Sequence, residues 1–116
     1  MDSPLSTSEL SLLESSLLPA LERHHLRLLA HGLRTLQTVA ARRDGDPPDL
    51  PQIVDWALGQ PAIADDPSFA RALAAQLCRS GEQLRSIAEG CDRTALALEL
   101  EDLIRWARAQ ADVRLR

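Results

Sequence analysis

Apolar residues recur every three or four positions between Pro19 and Arg43. On a wheel of 3.6 residues per turn Leu18, Leu26, Leu29, Leu33, Leu36 and Ala40 share one stripe, widened by Leu21, Leu28 and Val39. The pattern predicts a core-facing helix. Arg23, Arg27 and Arg34 gather on the opposite face with His24 and His31 at its boundary, whereas His25 projects into the apolar arc near Glu22. Gly32 sits in mid-helix, where it costs about 1 kcal/mol relative to Ala, so close approach by a neighbouring helix is the expected reason for it.

The flanking segments read as packing partners of this helix. Residues 1–5 carry no pattern and are expected to be disordered. Ser6 and Glu9 have the spacing of a capping box, which predicts a first helix through Leu10, Leu13 and Leu17. Pro19 lacks an N–H and pushes Leu18 out of helical ψ, so a break near Leu18 is favoured over a kink. The central helix is expected to end at Arg42 or Arg43, before the main loop at 44–48, Asp-Gly-Asp-Pro-Pro. Asp49 then caps a short helix with Pro51 in its first turn and Ile53, Trp56 and Ala57 on one face, stopping near Gly59-Gln60-Pro61.

Asp65 or Asp66 caps a fourth helix that runs to Gly90, with Phe69, Leu73, Leu77, Leu84, Ile87 and Ala88 as its stripe. Ser80-Gly81 is a candidate bend. Cys91 prolongs the stripe and Cys78 points away from it. Asp92 or Thr94 is expected to cap the last helix, whose stripe is Leu96, Leu100, Leu103, Ile104, Ala107 and Ala111, with Glu101 and Arg105 paired outside. Residues 53–60 echo 103–110 at Trp, Ala and Gln, but nothing else aligns at that offset and coincidence is the simpler reading.

Composition agrees with the wheels. The 116 residues are 45% apolar, dominated by Leu and Ala, with few β-branched or aromatic residues to build strands. All-α is the class, and one domain over residues 1–116 is the expected organisation, since a chain of this size buries roughly two-thirds of its unfolded surface in one core. Lys, Asn and Tyr are absent. A GC-rich, bacterial genome explains that, so Arg in place of Lys is not by itself a sign of phosphate recognition. A net charge of −4 opposes general attraction to nucleic acid or anionic membrane. The first residues lack the basic and apolar regions of a secretory signal, and no apolar run approaches the ~20 residues of a membrane span. A cytoplasmic location follows as an expectation, with Cys78 and Cys91 reduced and at no metal-ligand spacing.

Few residues offer chemistry. His24 and His31 are seven positions apart, a rise of about 10.5 Å, and cannot share an ion. Glu22 and His25 have the Glu-x-x-His spacing of half a di-iron site, yet no His lies outside this helix to complete it, and mutual satisfaction at the core edge is the simpler reading. No nucleophile elbow or phosphate loop appears. Arg23, Arg27, His31 and Arg34 are anion-binding candidates, unless acids of neighbouring helices neutralise them: Glu9, Glu14, Asp65, Asp66 and Glu82 are within sequence reach. Trp106 and Val113 fall off the main stripe of the last helix, with Leu98 further round, and are candidates for a partner or a second subunit.

The expected architecture is a helical bundle of four main helices with the short 49–60 helix crossing one end. The expected role is a small cytosolic, non-enzymatic interaction or assembly-factor module that works by helix-face contacts with a protein partner, with a homodimer as one form. A local anion or nucleic-acid binding regulator using the basic face is second, and a metal- or cofactor-binding bundle third. No cofactor is called for.

Overall fold

The computed structural model describes residues 4–115 and contains five α-helices, with no strand among them. They are α1 (Thr7–Glu14), α2 (Ala20–Ala40), α3 (Leu50–Leu58), α4 (Pro67–Cys91) and α5 (Leu100–Arg114), with a 3₁₀ turn at Ala95–Ala97 before α5. The all-α bundle expected from the pattern is the fold, an elongated body of 45 × 26 × 25 Å.

Local chemistry sets the helix starts. The Ser6 hydroxyl accepts from the Glu9 N–H at 3.1 Å, and the Glu9 carboxylate accepts from the Ser6 N–H at 3.0 Å. Asp49 and Gln52 repeat the arrangement at α3. Asp66 accepts from the Phe69 N–H at 3.0 Å, with Pro67 opening α4. At Pro19 the chain breaks rather than kinks. α1 stops at Glu14, a turn short of Leu17, because the chain must reverse to drop Leu18 into the core. Leu17 takes the left-handed conformation at φ 58 in that reversal and is left 92% exposed.

Residues 1–3 lie outside the described part of the chain, but Leu5, expected to be disordered, is buried in the core. α2 ends at Ala40, not at the arginines. Ala41 adopts φ 57 and its N–H donates to Thr38 O, while the Arg42 N–H donates to Gln37 O. This Schellman closure puts an alanine where glycine is usual, so no glycine marks the end. Arg42 instead clamps the loop, donating to the carbonyls of Asp44 and Asp46 at 2.9 Å.

α5 also starts later than the wheel predicts. Its stripe was extended back to Leu96, but Leu96, Leu98 and Leu100 are all buried, a spacing of two that no α-helix presents to one side. The 3₁₀ turn and an extended Leu98 achieve it, and Glu99 rather than Asp92 or Thr94 precedes the helix, its N–H donating to Asp102 at 2.9 Å. Thr94 ties the turn to the main loop by accepting from the Gly45 N–H at 2.8 Å.

The core is built on α2, whose Leu26, Leu33 and Leu36 are fully enclosed. α5 packs on it antiparallel. The Gln37 amide donates to Leu96 O at one end, and Arg114 pairs with Glu22 at the other. α4 crosses α2 at Gly32, where a Cβ would stand 3.1 Å from that of Ser80, so the glycine does permit a close approach. α3 lies on the first half of α4, where Ala57, Ile63 and Ala70 form a small separate cluster. Cys78, expected to point away, packs against the main core, and burial followed by the charges of Glu82 and Asp49 raises its pKa. Phe69, Leu21 and Leu28, expected to add to core stripes, are exposed.

Candidate partner-docking site

α2 lines a groove beside α4 with the exposed Leu28, His31 and Thr38 and the buried Gly32 and Thr35; α4 contributes Leu73, Gln76, Leu77 and Ser80, and Pro4, ahead of α1, joins the lining. Trp56 and Gln60 of the α3 end close the side, leaving a groove of about 460 Å³. It lies beside the close approach of Gly32 to Ser80, with residues of α2, α4 and the end of α3 around it. Leu28 is 48% exposed, and Trp56 and Leu73 are half-buried. Among the described lining residues His31 is the one titratable side chain. Leu21 lies two turns before Leu28 on the same side of α2 and extends the apolar surface.

The groove's polar groups are partly committed. Thr35 and Thr38 donate to the carbonyls of His31 and Arg34 in their own helix, and the Gln60 amide donates to Trp56 O. The main-chain groups of the α2 and α4 walls are likewise spent in helices, whereas Pro4 and Gln60 lie outside them.

The basic face is closed by acids of α1. Arg34 donates to Glu9 through Nε and Nη2 at 2.9 and 2.7 Å and to Gln37 at 2.8 Å. The Ser6 N–H, and after it Arg34, hold the Glu9 carboxyl below its ordinary pKa. Arg23 and Arg27 both face Glu14. Two polar hollows of about 450 and 300 Å³ adjoin this face and share Arg34, Gln37 and Arg43.

Glu22 and His25 do not satisfy one another. Glu22 is taken by Arg114, which lowers its pKa, and the His25 ring meets Trp106 edge-on with centroids 5.4 Å apart. Among the described residues no three His, Cys, Asp or Glu side chains gather as metal ligands. Arg105 bonds Asp102 at 3.2 Å rather than Glu101.

Of the residues proposed for a partner on the last helix, Val113 is 65% exposed, Trp106 is half-buried against the core, and Leu98 is 2% exposed and part of the core. Leu98 therefore offers no surface. Sequence reasoning missed the groove because Leu28 had been counted with the stripe. The signal was there: Leu21 and Leu28 sit about 100° from the centre of that stripe, on the side that Gly32 marks as a helix crossing.

Residues 5–114 match the family model described as NDH complex assembly factor CRR9. No curated protein and no solved structure matches the chain. With all but the ends of the chain covered by that model, the protein belongs to the family of NDH complex assembly factors CRR9.

Proposed function

We propose that the protein is a non-enzymatic assembly factor that holds a component of the NDH complex through helix-face contacts in the groove between α2 and α4. The observation that carries this reading is the open apolar lining of Leu28, Trp56 and Leu73 in a chain whose neighbouring charged face is closed by its own ion pairs. Family membership supplies the kind of partner. A site on the cytoplasmic side is part of the proposal; among the described residues no helix is long and apolar enough to cross a membrane.

Affinity purification of the tagged full chain from its own cells tests the reading. NDH complex components should co-purify, and Leu28→Asp with Leu73→Asp should reduce their recovery by about tenfold, the scale of losing one ordinary hot-spot contact. Leu28 is 48% exposed but Leu73 packs against both core clusters, so the double variant is compared only after its helical spectrum and melting curve match the wild type, and Leu28→Asp alone, expected to reduce recovery in the same direction, keeps the test open if it does not. Recovery of no NDH component by the wild type would overturn the proposal.

A further inference from the structure

Resting on that reading, we infer that the groove takes a partner segment in helical form, about three turns long, whose inserted face is apolar and uncharged. The length comes from α2, where Leu28 to Thr38 spans a rise of about 15 Å, the length of ten helical residues. Helical form follows from the walls. An extended segment brings unpaired N–H and C=O groups at every residue, and the two long walls, α2 and α4, are helices with no free main-chain edge to receive them. Thr35 and Thr38 already donate within α2 and Gln60 to Trp56 O, so among the described lining residues His31, Trp56, Gln76 and Ser80 are the side-chain donors that remain. A helix arrives with its main-chain bonds made and needs only side-chain contact.

The charge of the inserted face follows from the lining. Among the described residues no Asp, Glu or Arg lines the groove, so a charged side chain inserted against Leu73, Leu77 and Trp56 would lose its water without gaining a counter-ion from them. The exposed apolar pair Leu21 and Leu28 of a second copy of this chain matches poorly, because it is flanked by His24, Arg27 and His31.

Photo-crosslinking of the full chain in its own cells tests this. p-Benzoylphenylalanine is placed singly at Gln76 and at Thr38 in the groove, and at Glu89 as an exposed control outside it. Captured residues are mapped by mass spectrometry. Expected from both groove positions is one segment of an NDH component, touched at intervals of three or four residues along a face without charge, with no product from Glu89. Consecutive or alternate-residue contacts, a charged face, or capture of this same chain would overturn the inference. So would absence of groove products while NDH components still co-purify, an outcome that leaves the proposed function standing. A melting curve for each labelled chain within a few degrees of the wild type guards against misfolding.

Discussion

Glu22 and Arg114 lie 92 positions apart and fasten the start of α2 to the end of α5. Because Arg114 holds the folded-state pKa of Glu22 below its ordinary value of 4.5, the pair's contribution is complete above that value and is lost as pH falls through the folded value. Glu9, held down by Ser6 and Arg34, has the same sign. Thermal melts are therefore expected to shift downward on acidification below about pH 4.5, and Glu22→Gln with Glu9→Gln should flatten that dependence. A dependence that is equally steep in the double variant would contradict the assignment. Core residues behave differently. Leu103 is fully enclosed, so Leu103→Ala is expected to cost about 2–5 kcal/mol by transfer and cavity terms. Trp106→Ala, with its ring half-buried between His25 and the core, should cost less in the same denaturant titration.

At the scale of elements, the crossing at Gly32, the end of α4 and the start of α5 make separate predictions. Gly32→Leu should destabilise by about 1–3 kcal/mol, since the new Cβ alone would stand 3.1 Å from Ser80. Gly90→Ala, near the end of α4 with nothing within 4 Å of the new Cβ, should instead stabilise by about 0.5–1 kcal/mol. Asp102 is 3% exposed and receives the Glu99 N–H as well as Arg93 and Arg105, so Asp102→Ala should cost about 1–3 kcal/mol and loosen the start of α5. Chemical denaturation of the four chains measures all three. These elements also mark what the sequence makes legible. Ser6, Asp49 and Asp66 announce their helices because a short polar side chain at that place has a specific job with the next turn. The end of α2 was misplaced because Ala41 occupies a left-handed position that glycine normally signals. The start of α5 was misplaced because Leu96 and Leu100 fit a helical stripe, and only the burial of Leu98 between them betrays the extended chain.

For the whole molecule, the wheels predict which face of each helix is buried but not which faces of different helices meet, and the groove is lined by residues of α2, α4 and the end of α3 together. Leu28, Trp56 and Leu73 belong to three helices, each of which had been read separately as contributing to a core stripe or face. The main core joins all five helices, α3 entering it through Ile53, while the end of this short helix packs in the small cluster around Ala57, Ile63 and Ala70. One cooperative thermal transition is expected, with amides of α3 exchanging ahead of those of α2 when hydrogen exchange is followed under native conditions. Protection of α3 equal to that of α2 would mean that the two clusters open only together. The groove's role in assembly is tested most directly by the amount of assembled NDH complex on native gels, in cells whose only copy of this protein carries Leu28→Asp and Leu73→Asp at wild-type abundance. The account predicts that the assembled complex falls toward the level of cells lacking the protein; assembly at the wild-type level with this folded variant would contradict it.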